Sequence, residues 1–471
     1  MFDCPQNLRE EEMFEVPQWA ANKVVYQIFP SRFAATQPVD KKLWYKAPIT
    51  PMDDLHGNLR GIIEHLDYIK DLGIDVVYLT PIFKSNSCHK YDTIDYYQVD
   101  PSFGTTEDLK ELVKKSHERG MKVVLDAVYN HTGREFFAFQ DILEKGEKSK
   151  YLDWYFIDEL PPRGEWGEIP NFKCFGYYGG MPKLNLKNPE VEKYITDVAC
   201  YWIKECDIDG WRLDVGDEIS HFFWKNFRKA IKAVKKDMLI IGEIWHYAGD
   251  FLEGDEWDTV MNYPFYLNLI DLLADEKINV SQFVQNLGYL KGRLNKKCYP
   301  LMWNLIDSHD TARFLHLCHD NKKKQHLAAA FQLLLPGMPM VYYGDEYAMP
   351  GANDPDCRRG MYWDEEYQDK EMYNWYKKLM QIRKAHACIV EGEMIKTITN
   401  DDDDTIVMIR KNGEETIAML FNCGSSVKEF NEYAEKYNLL TDSAFDGKVE
   451  GQRMKPFVSF MKTIFVSFRK W

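Results

Sequence analysis

With 471 residues, 45% of them hydrophobic and 28% charged, the chain can bury a large core and divide it between two or three domains. A net charge of −15 argues against a nucleic-acid partner, since phosphate binding needs clustered Lys and Arg, and a neutral substrate fits better. No apolar run reaches the ~18 residues of a membrane span, the opening FDCPQNLREEEMFE lacks the parts of a signal peptide, and the ten cysteines, scattered singly, suit a reducing cytoplasm.

In chain order, short apolar runs of strand length alternate with amphipathic stretches. The runs are 24–30 (VVYQIFP), 76–81, 122–128, 209–215, 239–245, 258–265, 301–308 and 338–346. Between the first and second, LRGIIEHLDYIKDLG (59–73) places Leu59, Ile62, Ile63, Leu66 and Ile69 on one helical face and stops at Gly73. Between the second and third, TTEDLKELVKKSHERG (105–120) has a capping Thr105 or Thr106, an acidic first turn and Gly120 at its end. A βα unit repeated eight times predicts a (β/α)8 TIM barrel over residues 1–131 and 181–386.

Two segments interrupt the repeat. Residues 132–180 are too long for an ordinary βα loop and rich in rings, Gly and Pro, which predicts an inserted subdomain after strand 3, above the barrel mouth. Beyond the helix MYNWYKKLMQIRKAH (372–386), TIVMIRKNG, ETIAMLFN and TIFVSF alternate like antiparallel strands between turn signals such as Asn412-Gly413, predicting a C-terminal antiparallel β-sandwich over 387–471. The acidic run Asp401 to Asp404 reads as a solvated hairpin tip.

Residues at the carboxyl ends of barrel strands converge on one mouth. Asp126, Asn130 and His131 stand there after strand 3, Arg212 and Asp214 at strand 4, Glu243 and His246 at strand 5, and His309 and Asp310 at strand 7. Each alone has a plain explanation: a turn cap for Asp126, a structural ion pair for Arg212, a core histidine for His131. Structural charges have no reason to gather at the same end of several strands.

DAVYNH (126–131), GWRLDVGDE (210–218), GEIWH (242–246) and LIDSHD (305–310) resemble, in order and spacing, the four conserved regions of the α-amylase family of glycoside hydrolases (family 13). MPKLN (181–185) is similar to the further region of the neopullulanase, cyclomaltodextrinase and maltogenic-amylase branch. The resemblance implies a retaining hydrolase of α-1,4-glucosidic bonds in maltooligosaccharides, cyclodextrins or pullulan, with transglycosylation as a side route. It makes Asp214 the nucleophile, Glu243 the acid and base, and Asp310 the stabiliser of the transition state. Arg212 would keep Asp214 ionised, with Asp126, His131 and His309 in the same subsite. Tyr91 would stack under a sugar beside His89, Asp354 and Arg358 would hold the non-reducing side, and Glu218, Trp245 and His246 would face the acceptor.

The chain departs from that branch in two ways. Only some twenty residues precede strand 1, where the branch carries a β-sandwich that helps form its dimer, so a monomer, or a dimer formed otherwise, is expected. The Asn- and Asp-rich calcium loop often found after the first strand is also missing, since SRF is followed by AATQPVDKKLW with a single acidic residue; no cofactor is required on this reading, and Asn130 matches a calcium-binding position of many amylases, without clear co-ligands. The alternatives are an α-glucosidase or glucan transglycosylase of the same family, a non-catalytic amylase-like binding protein, which would lack a carboxylate or carry a membrane span, and a barrel for phosphorylated sugars, which would need a phosphate cluster.

Overall fold

The computed structural model describes residues 15–164 and 167–460. The acidic opening stretch up to residue 14, Trp166 of the ring-rich insert and the TIFVSF run lie outside the described residues. Eight strands, one in each expected run, form a single parallel sheet: β1 (Val25–Ile28), β2 (Val76–Leu79), β3 (Lys122–Ala127), β4 (Gly210–Leu213), β5 (Leu239–Gly242), β6 (Thr259–Val260), β7 (Trp303–Asn304) and β8 (Met338–Tyr342). Their order is β6-β5-β4-β3-β2-β1-β8-β7, and a parallel bridge between Met261 and Trp303 brings the two ends together into a barrel.

The strands are mostly apolar because both faces are covered, as in other parallel sheets. Alternation sorts them into two cores. Val25, Val76, Tyr78, Val124, Leu239 and Ile241 pack together inside the barrel, whereas Tyr26, Val77, Val123, Trp211, Leu213 and Ile240 face the helices. The same period carries the inner files onward to Gln27 in β1, Asp126 in β3, Arg212 and Asp214 at the end of β4, and Glu243 after β5. One file is therefore apolar at its amino end and polar at its mouth.

Local signals explain most helix boundaries. The predicted helix over 59–73 is two helices, α1 (Leu59–Glu64) and α2 (Leu66–Leu72), which part at His65 (φ −105°, ψ 9°). Asn58 caps the first by accepting from the Gly61 N–H at 2.8 Å, and Gly73 ends the second at φ +113°. In α3 (Thr106–Glu118), Thr105 and Asp108 form a reciprocal capping box. The sixth run, whose apolar pattern predicts an extended segment to Phe265, leaves the sheet after Val260. Asn262 accepts from the Phe265 N–H and Pro264 stands in the first turn, so α4 (Tyr263–Leu269) begins inside the apolar run. The hairpin Phe83–Ser85 with Thr93–Val99, unforeseen in sequence, stands above β2 and carries His89 and Tyr91 in its tip.

The inserted segment packs Phe139 against Tyr155 and Phe172 and is tied to the barrel by the bridges His131 to Lys183 and Tyr155 to Leu184. The C-terminal antiparallel sheet runs β9-β10-β11-β14-β12-β13, comprising β9 (Glu393–Asn400), β10 (Thr405–Asn412), β11 (Glu415–Asn422), β12 (Tyr437–Asn438), β13 (Ser443–Ala444) and β14 (Arg453–Phe460). A second, two-stranded sheet, Lys428–Glu429 with Lys448–Val449, packs against it through Leu420, Phe430 and Val449. β11 pairs on its other side with β14, where Pro456 lies opposite Met419; a proline inside the run masks the strand pattern. Asp401 to Asp404 form the turn between β9 and β10, with Asp403 paired to Lys428 at 2.6 Å.

At the opposite end of the barrel from the mouth, buried Asp209 accepts from Lys122 (2.9 Å), His117 (2.6 Å) and the Val123 N–H (3.0 Å). These partners, against the cost of burial, hold its carboxyl down at about 2 from the usual 3.8. A depressed carboxylate contributes stability above its unfolded pKa and loses it as pH falls through the folded one. Asp209→Asn is expected to cost about 2 kcal/mol at pH 7 and to flatten the fall of stability between roughly pH 4 and 2, as read by urea titration at several pH values.

Candidate active site

The polar ends of the inner files meet at Arg212, which is wholly buried. Its Nη1 donates to Asp126 Oδ1 and Oδ2 at 3.0 Å and to Asp214 Oδ1 at 2.9 Å. Its Nη2 lies 2.7 Å from Glu243 Oε2 without hydrogen-bond alignment, and 4.0 Å from Asp310 Oδ2. One guanidinium thus gathers four carboxylates from the ends of four strands or the loops after them.

Three of the four carboxylates, Asp126, Glu243 and Asp310, have a second support. Asp126 accepts from the hydroxyls of Tyr78 (2.6 Å) and Tyr91 (3.1 Å). Glu243 accepts from the Val215 N–H at 2.9 Å and the Trp245 indole at 3.2 Å. Val215 adopts φ +48°, ψ 45°, a strained conformation for a β-branched residue, and it aims this N–H at Glu243. Asp310 is approached by His309 Nε2 at 3.1 Å and Arg358 Nη2 at 3.3 Å.

The histidines are neutral donors. Burial pushes His131 down to about 3 and His309 well below the imidazole range. Gln27 Nε2 donates to His309 Nδ1 at 2.7 Å, which leaves the His309 proton on Nε2, facing the Tyr91 hydroxyl (2.5 Å) and Asp310. His131 gives its Nε2 proton to the Tyr91 carbonyl at 3.0 Å and stacks on Phe175 of the insert, centroids 5.1 Å apart.

The expectation that Arg212 would keep Asp214 readily ionised meets a stronger opposing effect. Burial raises both Asp214 and Glu243, Asp214 well above the usual carboxylate range. One cation cannot offset desolvation and mutual repulsion among so many acids, so the pair retains a proton at pH values where exposed carboxylates have lost theirs.

Above this floor opens a cavity of about 480 Å³. Of the residues expected at the site, Asp214, Glu243, Asp310, Tyr91, His89, His131, Trp245, Asp354 and Arg358 line it. Asp126, Arg212 and His309 lie buried beneath it. Asp354 and Arg358, which the resemblance placed together at the non-reducing side, pair at 2.8 Å. Glu218 and His246 stand outside the lining: Glu218 faces Lys183 and Asn130, and His246 faces Asp217 at 3.2 Å. Phe175, Met181, Val215 and Asp217 complete the wall. Asp217 sits inside GWRLDVGDE, one residue before the Glu218 chosen from sequence, but nothing in the sequence marked Val215.

The oxygens around Asn130 do not fit calcium. The Lys183 ammonium contacts Asn130 Oδ1 and lies 3.0 Å from Glu218 Oε2 and 3.2 Å from the Glu218 carbonyl. Calcium needs six to eight oxygens, and here a fixed cation already holds the available ones. Among the described residues, no group of three or more His, Cys, Asp or Glu could hold a metal, and no helix is long and apolar enough to cross a membrane.

Carboxylates clustered at the carboxyl end of a (β/α)8 barrel, beneath a cavity walled by rings, are the layout of a glycoside hydrolase. The family model "Alpha amylase, catalytic domain" matches residues 27–368, and the chain belongs to the alpha-amylase family. It is 43% identical over 456 residues to a cyclomaltodextrinase of Geobacillus thermopakistaniensis, covering 95% of this chain and 77% of that protein. To a cyclomaltodextrinase of Thermoanaerobacter pseudethanolicus it is 49% identical over 388 residues, 81% of this chain and 67% of the other. Among solved structures it resembles a cyclic α-maltosyl-(1→6)-maltose hydrolase from Arthrobacter globiformis, with a TM-score of 0.86, 34% identity, and coverage of 94% of this chain and 100% of that one.

Proposed function

We propose that the protein hydrolyses α-1,4-glucosidic bonds in maltooligosaccharides, cyclodextrins or pullulan with retention of configuration. The observation that carries this reading is the Arg212 hub, with Asp214 and Glu243 side by side on its two terminal nitrogens and Asp310 across the mouth. Asp214, which takes the aligned bond from Arg212, reacts as the carboxylate, and Glu243, whose contact with the guanidinium is not aligned, reacts as the acid; the buried pair shares one proton, and the reactive form has it on Glu243.

Asp214 attacks the anomeric carbon as Glu243 protonates the departing glycosidic oxygen, leaving a covalent glycosyl enzyme. Glu243, now a base, takes a proton from water, which attacks the same carbon and releases Asp214. Asp310 and the neutral His131 and His309 bind sugar hydroxyls and favour the distorted, positively charged ring. Trp245, 43% exposed and stacked on Tyr263 at 4.0 Å, offers its free face to the leaving sugar. The relatives' names, two cyclomaltodextrinases and a cyclic maltosyl-maltose hydrolase, support short or cyclic α-glucans as substrates. The unpaired cysteines of the described residues suit a reducing compartment.

The wild-type protein is expected to release short maltooligosaccharides from β-cyclodextrin and pullulan, with the α-anomer formed first when followed by NMR. Release of the β-anomer, or no cleavage of cyclodextrin, pullulan, starch or maltotriose, would sink the proposal. Because Lys183 holds the Asn130 position, we also propose that activity needs no calcium there. Prolonged chelation is expected to leave both kcat and Tm unchanged, and a marked fall in either contradicts the assignment.

A further inference from the structure

A second concave surface opens beside the catalytic cavity. It has a volume of about 310 Å³ and is lined by Tyr247, Leu267, Asp271, Asn286, Tyr289 and Arg293, among others. That volume lies at the lower end of the range for small-molecule sites, about 300–1,000 Å³. Tyr289 is 65% exposed and Leu267 45%, so apolar surface here faces water.

The groove also has fixed polar groups. The Arg293 guanidinium lies 4.0 Å from the centre of the Tyr247 ring and 5.0 Å from that of Tyr289, and its Nη1 donates to the Tyr289 hydroxyl at 2.7 Å. The Tyr247 hydroxyl in turn donates to the Arg293 carbonyl at 2.9 Å. Among the described residues no carboxylate pairs with Arg293, so its remaining N–H groups are open to a ligand. Asp271 supplies an acceptor in the same groove, 3.7 Å from Lys277. Rigid rings flanked by a planar donor and a carboxylate suit a neutral polyhydroxylated ligand: C–H faces pack on the rings, and hydroxyls pair with the charged groups. An anionic ligand would meet Asp271.

Position identifies which ligand. Trp245 lines the catalytic cavity and Tyr247 lines the groove, and two residues of chain span at most about 7 Å. Pro264, also in the groove wall, follows the Tyr263 ring on which Trp245 stacks. A glucan leaving the cavity over Trp245 therefore meets this groove.

We propose that the groove of Tyr247, Tyr289 and Arg293 is an accessory binding site for α-glucan chains too long for the catalytic cavity, on the leaving-group side. This rests on the hydrolase reading of the neighbouring site. Tyr289→Ala and Arg293→Ala are expected to raise KM for amylose about fivefold with kcat unchanged, while KM and kcat for maltotriose stay at wild-type values. Tyr289→Trp, which keeps a ring, is expected to retain the wild-type KM for amylose. Equal KM for amylose in wild type and both alanine variants overturns the groove and leaves the hydrolase intact, as does an equal shift on both substrates. Failure of the wild type to cleave either substrate overturns both readings.

Discussion

Replacing Asp214 with Asn is expected to lower kcat on maltotriose by at least about 10⁴-fold while changing KM by less than about threefold. Asn is nearly isosteric, can still accept from Arg212 Nη1 (2.9 Å in the parent) and removes one buried charge from a crowded group. The fold should therefore persist, and only nucleophilicity is lost. A raised wild-type carboxylate predicts the direction of a second readout. The nucleophile must be deprotonated, so the acid limb of the kcat/KM profile rises through a pKa above the usual carboxylate range, because burial lifts Asp214. Full activity in the Asn variant would remove Asp214 from the mechanism, as would trapping a glycosyl adduct by mass spectrometry on another residue.

Arg212→Met should be the most damaging single change to stability. The guanidinium is wholly buried and serves Asp126, Asp214 and Glu243 at once. Removing one partner of a buried ion group leaves uncompensated charge, at a cost of about 3–5 kcal/mol. The loss should be larger at pH 7 than near pH 5, because the stranded carboxylates escape part of it by taking up protons. Arg212→Lys separates charge from shape: a single ammonium cannot reach Asp214 and Glu243 through separate nitrogens, so stability should recover more than kcat does. Urea titration at the two pH values, set beside the kinetics of both variants, checks the pattern. A Met variant as stable as the parent would mean that Arg212 is not the hub.

Much of this was legible because a parallel barrel writes its strands as apolar runs and its helices with caps and glycine stops. Thr105, Gly73 and Gly120 behaved as local chemistry requires. Failures came where a local pattern was cut across by something equally local. Asn262 and Pro264 start a helix inside an apolar run, and Pro456 conceals a strand. The hairpin bearing His89 and Tyr91 is not legible in the sequence because its TIDYYQV strand is half exposed and lacks a clean alternation.

For the site, the sequence by itself determined which acids stand at strand ends, since the two-residue period places Arg212, Asp214 and Glu243 on inner files whatever the details of packing. The family resemblance added Asp354 and Arg358 as a pair. Tertiary structure decided how these groups share charge: that four carboxylates would crowd one guanidinium, that burial would raise Asp214 against the pull of Arg212, that the histidines would be neutral, and that Lys183 would fill the Asn130 corner. Desolvation and charge coupling depend on distances between segments far apart in the chain, and no spacing along the chain encodes them.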